Sequence, residues 1–206
     1  MRRPLVTTPL FTPLASILGT PGRFLTIVLV LASCSLLVSC SSTLERRDPT
    51  GERFPSVQGT SLSDKTYAIP EDFAGAPVVL LVGYIMETQF DLDRWLVGLA
   101  QAGLDVRVYE IPTIPGLVPG MFAGAIDSGM RSGIPKEDWG SVITVYGDAG
   151  EIVSFTGNEG PRNGRIFLLD GEGKVVFFHD RGFSAGVLME LGKKLKALKA
   201  ETPPVS

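Results

Sequence analysis

The sequence predicts an α/β domain with a mixed central sheet flanked by helices. Three observations predict it: a strand–helix–strand pattern between residues 76 and 111, two short strands around a Gly-rich turn between residues 165 and 179, and a leucine stripe near the C-terminus. Strands that alternate with helices favour a parallel sheet, and a terminal hairpin adds antiparallel pairing. Together these patterns indicate a sheet in which both kinds of pairing occur.

The first pattern is a strand, a helix and a second strand with short connections. Ala76–Tyr84 is a continuous apolar run rich in β-branched residues, which is typical of a strand buried on both faces. Thr88 and Asp91 have the spacing of a capping box at the start of a helix. The apolar positions of that helix fall at i, i+3, i+4 and i+7: Leu92, Trp95, Leu96 and Leu99. Residues 104–111 alternate as a second strand, so a right-handed parallel βαβ unit is expected.

The remaining elements follow from shorter signals. We expect a helix with Pro119 in its first turn, a strand over residues 141–146, and a hairpin of residues 165–170 and 174–179 around a glycine turn. A last helix begins near Ser184 and carries an inward stripe of leucines: Leu188, Leu191, Leu195 and Leu198.

The leader, residues 1–39, has the features of a secretory signal peptide. Arg23 precedes Phe24–Ser39, a run without charged residues that is shorter than the roughly 20 residues needed to span a bilayer as a helix. An uncleaved signal anchor is the alternative. Either interpretation predicts that the rest of the chain lies outside the cytoplasm.

The end of this leader resembles the bacterial lipobox, in which cleavage occurs just before a cysteine that receives lipid. Leu37–Cys40 fits the pattern, and polar residues follow it. Leu31–Cys34 fits as well, but cleavage there would leave an apolar N-terminus, so Cys40 is favoured as the palmitate-bearing residue. We expect an envelope lipoprotein that faces the periplasm or exterior, in the outer membrane if the cell is Gram-negative. We interpret residues 40–55 as a flexible tether, residues 56–200 as the domain and residues 201–206 as a disordered tail.

Composition excludes several functions. The 206 residues include one histidine and two cysteines, too few for a zinc-finger array. The formal net charge is −3 and no basic block occurs, which argues against nucleic-acid binding. No cofactor is expected.

Several segments of the domain resemble redoxins of the thioredoxin-like superfamily. Val57–Asp64, Ile69–Gly75 and Pro77–Gly83 are similar to the opening of these proteins, and Ile166–Phe177 is similar to their late hairpin. The hairpin, the final helix and Met130–Trp139 look most like the mitochondrial ATP synthase assembly-factor family and its bacterial relatives. The resemblance implies a thioredoxin-like fold and a role near membrane-protein assembly. ATP synthase itself fits poorly, because its catalytic head lies on the cytoplasmic side.

The sequence departs from redoxins at both halves of their redox site. Residues 84–90, where the nucleophilic thiol would lie, contain no cysteine and carry Glu87, whose charge would oppose a thiolate. Gly164 occupies the position of the cis-proline of thioredoxin-like proteins. With Cys34 removed and Cys40 lipidated, thiol chemistry is excluded. The resemblance therefore implies a redox-inactive protein that binds other proteins as a chaperone, assembly factor or scaffold.

The resemblance also implies where a partner would bind. In this fold the ridge around the redox site binds extended polypeptide, largely through backbone hydrogen bonds. The residues expected to form this ridge are Glu87, Thr88 and Gln89 on one side, and Arg162, Asn163 and Arg165 on the other.

Two other functions are weaker alternatives: a thiol-independent enzyme and a metal-handling protein. His179 beside Asp180 has the residue types of a general base, although a solvated histidine at a strand end is the simpler interpretation. Glu87, Asp91 and Asp93 are interpreted as complementing a helix dipole. Thioether copper ligation would use methionines that are better interpreted as core filling: Met86, Met121, Met130 and Met189.

Overall fold

The structure is a computed structural model that describes residues 43–116 and 120–201. Its strands are β1 Val57–Ser61, β2 Thr66–Ile69, β3 Val78–Gly83, β4 Arg107–Pro112, β5 Ile143–Thr144, β6 Arg165–Leu169 and β7 Val175–His179. Its α-helices are α1 Gln89–Gln101, α2 Ala123–Gly133, α3 Ala149–Thr156 and α4 Ala185–Glu201. Short 3₁₀ helices occupy Glu71–Phe73, Met86–Thr88 and Lys136–Ser141.

The central sheet has four strands in the order β4-β3-β6-β7. β3 pairs in parallel with β4 and antiparallel with β6, and β6 forms the expected hairpin with β7. Every residue of β3 is buried, as its continuous apolar run predicts for a strand covered on both faces. The mixed α/β architecture is therefore confirmed.

A second, three-stranded sheet has the order β2-β1-β5. Only two residues of the strand predicted over 141–146 are regular, because the chain pairs with β1 at Ile143 and Thr144. Isolated parallel bridges at Val142 and Val145 then connect it to the β4 side.

Helix α3 was not anticipated from the sequence. Its eight residues include Ile152, Val153 and Phe155, which favour strands when considered alone. Burial decides the outcome, because these side chains enter the core beside the central sheet.

The two faces of the central sheet carry separate apolar cores. The Trp95 stripe of α1 and the leucines of α4 cover one face, as their periodicity predicts. The other face packs against aromatic and branched side chains, among them Phe54, Phe73, Ile152 and Phe167. Phe54 stands edge-on to Phe167 at 5.2 Å between ring centroids.

The structure corrects the prediction of a flexible tether over the part of it that is described. Residues 43–54, here called the strap, lie along the domain. The amide of Arg47 donates to the Thr156 carbonyl, the amide of Gly51 donates to the Val175 carbonyl, and Phe54 is buried. The charged composition misled the prediction, because several of these polar residues form hydrogen bonds with the domain.

Arg46 holds the strap through an ion pair with a buried carboxylate. Its Nε lies 2.8 Å from each carboxylate oxygen of Asp180, which is 5% exposed. Its guanidinium also lies 5.8 Å from the centre of the Phe178 ring. Asp180 is therefore an internal anchor for the strap.

Other sequence predictions lie outside the described residues. They are the signal peptide, lipidation at Cys40, the Pro119 helix start and most of the C-terminal tail. Within 43–116 and 120–201, none of the helices has the length and apolar character that a membrane span requires.

Replacing Arg46 with Ala is expected to lower the free energy of unfolding by about 1–3 kcal/mol, because a buried carboxylate loses its partner. Urea unfolding would measure the change. Lys199→Ala, which removes the exposed pair with Asp105, is the matched control and should lower the free energy of unfolding much less, because solvent screens that pair. Equal effects of the two substitutions would contradict the anchoring role of Arg46.

Candidate functional site

The chain leaves β3 at the place where a redoxin would carry its thiol. Here Tyr84 is buried, and apolar side chains in and on either side of the following 3₁₀ helix are exposed instead. Ile85 is 38% exposed, Met86 89% and Phe90 73%. Residues 41–206 contain no cysteine. This end of the sheet therefore presents apolar surface to solvent where thiol chemistry would otherwise occur.

Asp91 in the first turn of α1 is a buried acceptor that joins three segments. Its Oδ2 accepts from the amide of Gly164 at 2.9 Å, and its Oδ1 accepts from the amide of Phe183 at 2.7 Å. The predicted capping box is absent, since no side-chain cap bond forms at Thr88. The carboxylate thus does more than complement the helix dipole: it holds two distant loops against α1.

Gly164 immediately precedes β6, at the position expected for a cis-proline. Among the described residues, the one cis peptide bond is Ile69–Pro70, in the other sheet. A Cβ at Gly164 would overlap the side chain of Leu92. Because the Gly164 amide already donates to Asp91, it is not free to pair with the backbone of an extended polypeptide.

Arg165 is buried, which corrects its expected place on the exposed ridge. Its Nη2 donates to the Glu159 carbonyl at 2.6 Å, and its Nη1 donates to the carbonyls of Gly160 and Asn163. The guanidinium lies 4.4 Å from the centre of the Tyr84 ring. Burial lowers the pKa of Arg165. Its role is to hold the loop before β6 in one conformation.

Thr88 is also buried and bonds to the same loop. Its Oγ1 donates to the Pro161 carbonyl at 2.8 Å and accepts from the Ile85 amide at 3.3 Å. Tyr84 lies beneath it and donates to the Ile152 carbonyl, and burial raises the pKa of the Tyr84 hydroxyl to about 12. Thr88 and Arg165 therefore stabilise the site from within the fold, and their side chains are not accessible to a binding partner.

An open groove lies between α1 and the loops before β6 and after β7. The residues that line this groove are Glu87, Phe90, Asp91, Arg94, Arg162, Asn163, Arg181, Gly182 and Phe183. Three of the six predicted ridge residues, Glu87, Arg162 and Asn163, are among them. Gln89 is exposed beside the groove, and its amide donates to Asp93 at 2.9 Å.

Sequence reasoning missed Phe90, Arg94 and Arg181. Glu87, Phe90 and Arg94 fall at helical spacing on one face, a signal that was available in the sequence. Arg181 could be placed only once the turn after β7 was known to fold back toward α1.

His179 stabilises this turn. Its Nε2 lies 2.8 Å from the Gly182 carbonyl, and its ring packs 5.8 Å from that of Trp95. The expectation of a solvated histidine at a strand end is wrong, since the residue is half-buried and bonded within the fold.

The methionines do not fill the core as predicted. Met86, Met121 and Met189 are exposed, and Met130 is half-buried. Within the described ranges, no group of three or more histidine, cysteine or acidic side chains could hold a metal ion.

Glu110 is a buried acid near the first turn of α1. Gln89 Nε2 lies 3.4 Å from its Oε2. Burial is the main cause that raises the pKa of Glu110, and the charges of Asp93 and Asp138 raise it further. Compared with an exposed glutamate, Glu110 in the folded protein is shifted toward its protonated form.

Asp91→Ala is expected to destabilise the fold by about 2–4 kcal/mol, because the amides of Gly164 and Phe183 lose their acceptor. Chemical denaturation would measure this loss. Asp93→Ala on the exposed side of α1 serves as the control. A loss no greater than that of the control would refute the bridging role of Asp91.

Glu110 should make stability depend on pH. Because its pKa is raised in the folded state, the contribution of Glu110 to stability falls as the pH rises above the ordinary glutamate value of 4.5. Glu110→Gln lacks this penalty, so its stability relative to wild type should increase from pH 4 to pH 7. Denaturation at both pH values measures the difference, with the exposed Glu137→Gln as control. A difference that does not change with pH would contradict the prediction.

Comparison with known proteins identifies the fold. No model of a known protein family and no curated protein matches the sequence. Among solved structures, an uncharacterized conserved protein from Geobacillus kaustophilus is similar over 80% of this chain and 90% of its own, with 14% identity and a TM-score of 0.51.

Two further structures are similar at a TM-score of 0.50. Copper-bound yeast Sco1 is 13% identical, with 73% of this chain and 95% of its own covered. A SCO1/SenC family lipoprotein from Bacillus anthracis is 14% identical, with 75% and 99% covered. At these identities the likeness concerns the fold. The described domain therefore has the thioredoxin-like fold.

Proposed function

We propose that this protein is a redox-inactive, thioredoxin-like envelope lipoprotein that binds other proteins through the groove, as a chaperone, assembly factor or scaffold. The observation that carries the proposal is the surface at the end of β3. It exposes Ile85, Met86 and Phe90 beside the groove, at the place where the fold would otherwise carry its thiol.

The physical argument rests on exposed apolar surface over a rigid base. Contiguous large apolar side chains are seldom left in water without a binding role. Thr88, Asp91 and Arg165 hold the segments beneath them through buried hydrogen bonds. A partner that covers Met86 and Phe90 would therefore bind without first ordering the site.

Thiol–disulfide exchange does not fit these residues. It requires a thiolate that attacks a sulfur atom, and residues 41–206 contain no cysteine. Binding, rather than electron transfer, is the function for which this surface provides suitable groups.

The lipobox-like Leu37–Cys40 supports a lipid on Cys40, with the outer membrane as the address in a Gram-negative cell. One structural neighbour is itself described as a lipoprotein. A lipid on Cys40 would hold the chain at the bilayer, within reach of a membrane-associated partner.

The resemblance of Met130–Trp139 to ATP synthase assembly factors favours assembly of a membrane protein as the task. In the structure this segment ends α2 and is held by Arg131, whose guanidinium lies 5.6 Å from the Trp139 ring and pairs with Asp64. The resemblance suggests the kind of role, assembly of a membrane protein, and does not identify the partner.

Photocrosslinking in the intact envelope tests the proposal. A photoreactive phenylalanine analogue at position 90 should crosslink discrete partner proteins, because Phe90 is exposed and lines the groove. The same analogue at Met189, exposed on α4 and outside the groove, is the control. Cys40→Ala should abolish palmitate incorporation and weaken the crosslinks at position 90.

Two outcomes would contradict the proposal. Absence of protein crosslinks at position 90, or the same partners at positions 90 and 189, would remove the groove as a binding site. Palmitate incorporation that persists in Cys40→Ala would remove Cys40 as the lipidation site.

A further inference from the structure

Three arginines reach the groove from three different elements. Arg94 comes from α1, Arg162 from the loop before β6, and Arg181 from the turn after β7. All three are exposed, and within residues 43–116 and 120–201 none of their guanidinium groups forms a hydrogen bond or an ion pair.

The other described arginines are all bonded. Four of them pair with carboxylates: Arg46, Arg47, Arg53 and Arg131. Arg107 donates to the carbonyls of Phe73 and Ala76, and Arg165 donates to three loop carbonyls. Among the residues that the structure describes, the arginine side chains without partners therefore all line one groove, in a chain whose net charge is −3.

The acidic residues of the groove balance only part of this positive charge. Both carboxylate oxygens of Asp91 accept backbone amides, so this carboxylate is bonded to the fold and not to the arginines. Glu87 is the exposed carboxylate among the lining residues, and it forms no ion pair within the described part of the chain. Three guanidinium groups thus face a single exposed carboxylate.

A partner that binds in the groove must be recognised by side chains and not by the backbone at position 164. The Gly164 amide is bonded to Asp91, so a partner strand cannot pair with it. Guanidinium groups bind carboxylates in a planar, bidentate geometry, and the Phe90 ring in the same groove offers apolar contact.

We propose that the groove binds an extended, acidic segment of a partner protein, with its Asp and Glu side chains on Arg94, Arg162 and Arg181 and an apolar side chain against Phe90. This inference rests on the proposed protein-binding function and names the chemistry of the partner. An acidic polypeptide fits better than a phosphate surface, because the exposed Phe90 ring and the exposed thioether of Met86 require an apolar counterpart.

Selection from a pool of random dodecapeptides tests the inference without a known partner. The full chain, purified in nonionic detergent, retains peptides that are then sequenced. Bound peptides should be enriched at least threefold in Asp and Glu over the input pool. This enrichment should disappear in the triple variant Arg94→Gln, Arg162→Gln, Arg181→Gln.

A matched triple variant controls for net charge. Lys193→Gln, Lys194→Gln and Lys196→Gln remove three exposed charges from α4, outside the groove, and should leave the enrichment intact. Selected acidic peptides should also bind at least tenfold more weakly to the arginine variant, and more weakly at 0.5 M salt than at 0.1 M. Circular dichroism confirms that both variants are folded.

The contrary results separate the two proposals. Retained peptides with no acidic enrichment, or the same enrichment in the arginine variant, would overturn this inference and leave protein binding in place. No peptide retained above empty resin would overturn both. Binding to phosphatidylglycerol vesicles that requires the three arginines, without acidic enrichment, would identify a membrane as the occupant and refute the inference.

Discussion

The Asp91 carboxylate is the interaction on which the functional end of the molecule depends. It accepts the amides of Gly164 and Phe183, so one side chain joins α1, the start of β6 and the turn after β7. A helix N-terminus favours an anion, and redoxins use this property for a thiolate. In this protein a carboxylate in the first turn of the helix uses the same electrostatics to fix loops. The site is therefore a junction that joins three segments of the fold, and the groove lies at this junction.

The buried polar groups around this junction show why the groove is well defined. Arg165 donates hydrogen bonds to three loop carbonyls and lies over the Tyr84 ring. Asp180 forms an ion pair with Arg46 of the strap. Charges are costly to bury without partners, so each such group specifies where its neighbours must lie. The strap is part of this arrangement because it supplies the partner of Asp180. By contrast, the side chains of the three groove arginines have no such partner among the described residues.

The elements with strong patterns could be predicted from the sequence. The apolar run of β3, the Trp95 stripe of α1 and the hairpin of β6 and β7 all form as expected. Helix α3 was missed because Ile152 and Val153 favour strands locally, and the strap was read as a tether because its residues are polar. Of the predicted ridge, Glu87, Arg162 and Asn163 line the groove, whereas Arg165 and Thr88 are buried. A charged residue at a loop end gives no local sign of whether it faces solvent or carbonyl oxygens.

By itself, the sequence determined the fold class and the lack of cysteine in residues 41–206, because hydrophobic periodicity and residue identity are local properties. It also carries the lipobox-like signal at Cys40. Only the tertiary structure decided which polar residues are exposed and which form hydrogen bonds or ion pairs within the fold. That decision depends on contacts between residues distant in sequence, such as Asp91 with Gly164 and Arg46 with Asp180. No local pattern encodes these pairs, since each forms only after the sheet has brought its loops to the same edge.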